Sequence, residues 1–202
     1  MLRRLTAAGV AAATVLAASL VTAAPAQAQP TEPPARTESA TKIATGLRAI
    51  VDLSAQRVLV GDLVAASKYG TDKPIDDPAR EQVVLDAAAD LAREYGADPA
   101  EVVAIFKDQI EASKVVQRGL FRYWDAHPDR APTERPDLNV IREEINRLNV
   151  GIVSSIARAE AERGSLLCGV GLLLADLRVS HERDLDALHA RALARSVDSV
   201  CG

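Results

Sequence analysis

The chain has 202 residues and a formal net charge of −4, and aromatic side chains make up 3% of it. A net acidic surface does not favour the phosphate backbone of nucleic acids, and few rings are available to stack on bases. We therefore expect no nucleic-acid partner, and the length suffices for one well-buried domain.

Residues 1–28 have the pattern of a secretory signal peptide. Arg3 and Arg4 precede an apolar, alanine-rich run that ends near Ala24, and Ala26-Gln27-Ala28 forms a small-residue cleavage motif. We therefore expect export and cleavage, with no membrane association afterwards; a transmembrane anchor is the alternative. Cleavage would remove two cations and no acids, and would take the formal charge from −4 to −6.

A short arm of residues 29–40 is expected to be disordered, because it is rich in proline, threonine and glutamate and has no periodicity. An all-helical domain is predicted over residues 41–202. Its helices are predicted at about residues 41–69, 78–95, 99–125, 138–163 and 169–200, the last with a break near Ser180.

Capping signals support these boundaries. Gly70 and Gly96 are suited to end the first two helices, and Asp77-Pro78 and Asp98-Pro99 have the order of an N-cap followed by a first-turn proline. The segment 127–136 contains three prolines and is predicted as a loop. With no alternating apolar pattern, the sequence predicts an all-α, single-domain helical bundle.

Two cysteines, Cys168 and Cys201, occur in a chain that we expect to be exported. That compartment favours one disulfide, which would pin the C-terminal helices; two buried thiols are the alternative.

Cations and polar side chains interrupt two helix faces that should be apolar. Lys68 follows Arg57 by eleven positions, which returns it close to the same face of the first helix. The first face is Ile50, Leu53, Arg57, Val60 and Val64, and the second is Phe106, Ile110, Ser113, Gln117, Leu120 and Trp124. Burying an unpaired charge costs several kcal/mol, so these cations predict an anionic ligand.

Less specific interpretations remain open. Arg57 could pair internally with an acid such as Asp52 or Asp62, which would make the protein a structural bundle. Arg80 and Glu81 could be a surface pair, and Ser113 and Gln117 a satisfied polar pair between helices.

Metal, nucleotide and nucleophile motifs are absent from the sequence. The three histidines lack metal-ligand spacing and are expected to be ordinary helix-surface residues: His127, His181 and His189. No G-x-S-x-G, P-loop or G-x-G-x-x-G pattern occurs, and we expect no metal or cofactor.

The combined spacing resembles that of the all-helical chorismate mutases, and in particular their secreted (gamma) subclass. Arg57, Lys68 eleven positions later and Arg80-Glu81 twelve further on match the family's first motif, and Ser113-x-x-x-Gln117 matches its third-helix motif. Pro136-Asp137-Leu138 before Arg142 matches the secreted members, which also have a disulfide at the positions of Cys168 and Cys201.

The resemblance implies a role for each residue in converting chorismate to prephenate. Arg57 and Arg142 would bind the two carboxylates, with help from Ser113. Lys68 and Gln117 would be the catalytic pair at the ether oxygen. Glu81 and the backbone near Asp77 would bind the ring hydroxyl, and Arg80 would add charge and order the site.

The resemblance also implies a homodimer with a complete site in each chain, because Arg142 supplies a cation that intracellular relatives borrow from a partner. Some secreted members have Glu at position 117 and Gln where this chain has Val84. Because Gln117 donates a hydrogen bond without being protonated, we expect activity to be nearly flat between about pH 5 and 8. A non-catalytic binding module for a small dicarboxylate is the rival interpretation.

Overall fold

A computed structural model describes residues 35–202 of the chain, and side chains from residue 37 onward. The described part contains helices and loops without strands, which confirms the all-α prediction. In chain order the helices are α1 Ala35–Lys68, α2 Pro78–Tyr95, α3 Pro99–Ala126, α4 Leu138–Arg158, α5 Glu160–Arg163, α6 Cys168–Glu182 and α7 Ala187–Ser196. Single 3₁₀ turns cover Pro128–Arg130 and Asp198–Cys201. Within this range no helix is long and apolar enough to span a bilayer.

Aspartate side chains cap the starts of four helices. Each accepts a backbone N–H two or three residues further on, as Asp77 does from Arg80 at 3.1 Å; the others are Asp98, Asp137 and Asp186. Gly96 ends α2 at φ +75°, a conformation that side chains disfavour. These caps explain why the predicted starts of α2, α3 and α4 are confirmed.

Helix α1 begins six residues earlier than predicted. It starts at Ala35 instead of Thr41, so residues 35–40 are helical and the prediction of a disordered arm is wrong for them. The segment has no proline or glycine, and Ala40 is buried. Its burial stabilises a turn that composition alone did not identify. The predicted signal peptide and residues 29–34 lie outside the described residues.

The C-terminal part also differs in detail from the predicted helices. The fourth helix is interrupted at Ala159, before the short α5. The break predicted near Ser180 lies at residues 183–186, where Asp184 has φ +48° and Asp186 begins α7. The predicted break is therefore present but lies a few residues later, between α6 and α7.

Helix α1 lies at the centre and packs against α3, α4, α6 and α7. The core consists of fully buried aliphatic side chains and one ring, among them Leu47, Ile50, Ile105, Phe106, Ile152 and Ile156. Gly171 of α6 lies so close to α1 that a Cβ there would be 2.6 Å from the Ile43 side chain. Every element that carries a predicted site residue is thus anchored in one core.

The predicted disulfide is confirmed. Cys168, at the start of α6, is bonded to Cys201 at the end of the chain, with the two Cα atoms 5.7 Å apart. Closing an interval of 33 residues stabilises a fold by about 4 kcal/mol in the chain-entropy model. The bond fixes the C-terminal turn against the bundle.

His189 is a buried, ion-paired residue, and its assignment to the helix surface is wrong. Its Nε2 lies 2.8 Å from Asp62 of α1, and its Nδ1 lies 2.7 Å from Asp186. The hydrogen bond to Asp62, helped by that to Asp186, outweighs burial and raises the pKa of His189 to about 9. The charged ring links α7 to α1.

This link predicts a pH-dependent stability. Because the folded-state pKa lies above the ordinary value of 6.5, its stabilisation is complete below about pH 6.5 and is lost as the pH rises to about 9. We expect unfolding free energy to fall by on the order of 2 kcal/mol over that range, and His189→Gln to lack this fall. Urea unfolding of the wild type and of His189→Gln at pH 6, 7.5 and 9 measures the unfolding free energy. If it falls equally with pH in the two proteins, His189 is not the source of the pH dependence.

Candidate active site

A cavity of about 630 Å³ lies between the C-terminal half of α1, the start of α2, the middle of α3 and the start of α4. The eight residues predicted to bind substrate all line it: Arg57, Lys68, Asp77, Arg80, Glu81, Ser113, Gln117 and Arg142. Apolar side chains such as Val64, Val84 and Ile110 complete the walls. Four helices thus bring the predicted residues together at one cavity.

Arg57 is a buried cation with neutral partners. Its Nε donates to Oδ1 of Asn149 at 3.0 Å and its Nη1 donates to the Gln109 carbonyl oxygen at 2.8 Å. The side chain has no carboxylate partner among the described residues, and burial lowers its pKa to about 10. It stays protonated at neutral pH, so its charge is uncompensated by an acid.

The acids proposed as internal partners of Arg57 are engaged elsewhere. Asp52 forms a bidentate pair with Arg183, and Asp62 accepts from His189. The alternative of a bundle in which these acids neutralise Arg57 is therefore wrong.

Lys68 and Arg142 provide further positive charge. Lys68 ends α1, is half-buried, and its Nζ donates to the Pro74 carbonyl oxygen at 2.9 Å. Burial lowers the pKa of Lys68, and the nearby charge of Arg142 adds to this while Asp77 opposes it. Arg142, on the second turn of α4, makes one long contact of 3.4 Å to Asn139. Neither cation forms an ion pair with a carboxylate of the described residues, so both are available to an anionic ligand.

Glu81 is held at both carboxylate oxygens. Oε1 accepts the Asp77 backbone N–H at 3.1 Å, and Oε2 accepts from Lys114 at 2.9 Å. Arg80 does not pair with Glu81, so the surface-pair alternative is wrong. Lys114 also donates to Glu111 at 2.8 Å; burial alone would lower its pKa, but its hydrogen bonds to Glu111 and Glu81 raise it. The start of α2 is thereby fixed to α3.

Gln117 forms a polar pair within α3 and not between helices. Its Nε2 donates to the carbonyl oxygen and Oγ of Ser113, both at 3.2 Å. Its Oε1 is buried and has no partner among the described residues. Donation to a ligand therefore requires the amide to give up one of its contacts to Ser113.

The lining is strongly cationic although the chain is acidic. Seven Lys and Arg side chains face three carboxylates, Asp77, Glu81 and Asp137. Three lining cations were not predicted from the sequence, because their positions depend on loops and on contacts between helices: Lys73, Lys114 and Arg135. Asn149 was not predicted either, although it interrupts an apolar face of α4 as Arg57 interrupts that of α1. An arrangement of this kind suits a small, multiply charged anion.

Comparison with known proteins agrees with this chemistry. The family model described as chorismate mutase type II matches residues 41–118. A secreted chorismate mutase of Mycolicibacterium smegmatis is 37% identical over 158 residues, which cover 78% of this chain and 87% of that protein. The chain belongs to the type II chorismate mutase family. A secreted chorismate mutase of Mycobacterium tuberculosis is 34% identical over 155 residues, 77% of this chain and 78% of that protein.

Solved chorismate mutase structures have the same fold. That of Burkholderia phymatum superimposes with a TM-score of 0.76 at 33% identity and covers 79% of this chain and 98% of its own. That of Burkholderia thailandensis gives 0.74 at 31% identity and covers 78% and 99%. The resemblance to all-helical chorismate mutases that the motif spacing indicated is confirmed.

Proposed function

We propose that this chorismate mutase isomerises chorismate to prephenate in the 630 Å³ cavity. The observation that carries the proposal is Arg57, a buried guanidinium without a carboxylate partner in the described chain, beside Lys68 and Arg142. An uncompensated buried cation is costly, and a bound carboxylate would offset that cost.

The reaction requires no covalent bond between the substrate and the protein. In a concerted rearrangement the C–O bond of the enolpyruvyl ether breaks while a C–C bond forms, with no proton transfer and no nucleophile. The barrier falls if the flexible side chain is held over the ring. It also falls if donors face the ether oxygen, where negative charge develops.

The two arginines suit the first of these tasks. A guanidinium binds a carboxylate through two parallel hydrogen bonds, which fixes direction as well as position. With Arg57 on α1 and Arg142 on α4, each of the two substrate carboxylates would be bound from a different helix. Ser113 would add a hydrogen bond to one of them.

Lys68 and Gln117 suit the second task. The ammonium of Lys68 would donate to the ether oxygen and act as the main electrostatic catalyst. Gln117 would donate to the same oxygen after its amide releases Ser113. Glu81 and the Asp77 backbone would bind the ring hydroxyl, and Arg80 would add positive charge at the start of α2.

Turnover distinguishes this proposal from a non-catalytic dicarboxylate-binding module. Purified chain with its disulfide intact is mixed with chorismate, and loss of chorismate absorbance is followed together with acid conversion of the product prephenate. Prompt conversion is expected. Tight binding of chorismate without conversion, by folded protein, would assign the cavity to binding alone.

Lys114 gives a further prediction. Lys114→Met would leave Glu81 and Glu111 without their shared cation at a site for a dianion, so we expect KM to rise about tenfold with a smaller change in kcat. Lys107→Met, at an exposed position on the same helix, is the matched control and should behave as wild type. Steady-state kinetics with chorismate measure KM and kcat for both variants. Equal KM values in the two would contradict the role of Lys114.

We also propose that the chain is exported, that its signal peptide is cleaved after Ala28, and that the mature protein forms a homodimer. Export is supported by the signal-like residues 1–28 and by relatives that are named secreted. A dimer is supported by exposed apolar side chains along α6, which are Val170, Leu173, Leu174 and Leu177. N-terminal sequencing of the exported protein and sedimentation equilibrium test the two proposals separately.

A further inference from the structure

Arg57 is held by two neutral oxygens from two different helices. The Gln109 carbonyl oxygen of α3 accepts from Nη1, and Oδ1 of Asn149 of α4 accepts from Nε. Arg57 and Asn149 are 7% and 6% exposed, so water competes little for these contacts. Asn149 does not itself line the cavity. Asn149 therefore influences the cavity through its hydrogen bond to Arg57.

The neutrality of these acceptors has a chemical consequence. An amide oxygen orients a guanidinium as a carboxylate does, but it brings no formal charge. An aspartate of nearly the same shape at position 149 would form a buried ion pair and cancel the field that Arg57 presents to the cavity. Asparagine therefore fixes the direction of Arg57 and leaves its charge for the ligand.

We infer that Asn149 is a positioning residue that sets the affinity of the site for a dianion, an inference that rests on the proposed chorismate mutase activity. Nη2 of Arg57 has no acceptor within the described residues, which leaves its N–H groups for a substrate carboxylate. Asn149 acts by keeping that edge of the guanidinium directed and charged.

The KM values of two variants at position 149 test the inference. Asn149→Asp should raise KM for chorismate by about 10- to 100-fold, because a buried carboxylate both neutralises Arg57 and repels the substrate. Asn149→Leu removes the acceptor without adding charge, and Arg57 keeps the Gln109 carbonyl, so a smaller rise is expected. A packing role predicts the reverse order, since aspartate retains both shape and hydrogen bond.

Gln82→Glu, at an exposed position on α2 away from the cavity, controls for net charge and should leave KM unchanged. Melting curves should show Asn149→Asp at least as stable as Asn149→Leu, because the new carboxylate pairs with Arg57. A KM for Asn149→Asp within twofold of wild type, or a melting temperature below that of Asn149→Leu, would overturn the inference alone. Absence of turnover in the wild type would overturn the proposed function and the inference with it.

Discussion

Alanine in place of Lys68 is expected to lower kcat/KM for chorismate about a thousandfold. The lysine is half-buried at the end of α1; its ammonium donates to the Pro74 carbonyl oxygen and forms no ion pair with a carboxylate of the described residues. A donor in such a place stabilises charge more strongly than one in water, because little solvent screens it. The loss should lie mainly in kcat, since charge on the ether oxygen develops in the transition state.

Lys73→Ala is the matched control for this experiment. Lys73 lines the same cavity but is exposed on the loop between α1 and α2, where solvent screens its charge. We expect its loss to reduce kcat/KM only about two- to fivefold. Circular dichroism and melting curves establish that both variants fold. A Lys68→Ala enzyme that retains a tenth of wild-type kcat, or the same loss in both variants, would contradict the catalytic role of Lys68.

Replacing Gln117 with glutamate is expected to restrict the activity of the enzyme to acidic pH. Gln117 is 3% exposed, and its amide can donate at any pH. A glutamate there can donate to the ether oxygen only when protonated; ionised, it would repel the developing charge. At pH 8 we expect kcat/KM to fall about 100-fold or more, with recovery as the pH is lowered toward 5.

The pH profile of kcat/KM from 5 to 8 measures this directly. The wild type should be nearly flat over that range, whereas the Gln117→Glu variant should lose activity about tenfold per pH unit once its carboxyl group ionises. Gln82→Glu makes the same chemical change on the exposed side of α2 and should leave the profile flat. A flat profile in Gln117→Glu, or a steep one in the wild type, would contradict donation from position 117.

The parts of the fold that local chemistry decides could be predicted from the sequence. The starts of α2, α3 and α4 follow from aspartate caps whose partners lie two or three residues away. Arg57 could be found because a cation interrupts an apolar helix face, a signal that lies within one helix. The same test applied to α4 would have found Asn149 between Leu148 and Ile152.

The rest depends on contacts between distant parts of the chain. The burial of His189 could not be predicted from the sequence, because its partner Asp62 is 127 residues away and nothing local indicates that they meet. Lys114 was missed for a similar reason, since Glu81 is 33 residues away on α2. The early start of α1 depends on the burial of Ala40. Tertiary packing decided each of these cases.

We propose that the cavity is complementary to the transition state of the rearrangement and not merely to a dianion. Calorimetric titration with a rigid bicyclic ether dicarboxylate, which imitates the chair-like transition state, tests it most directly. We expect this compound to bind at least about 100-fold more tightly than prephenate, and the advantage to disappear in Lys68→Ala. Equal affinities for the bicyclic compound, prephenate and malate would contradict the claim and would identify the cavity as a general dicarboxylate site.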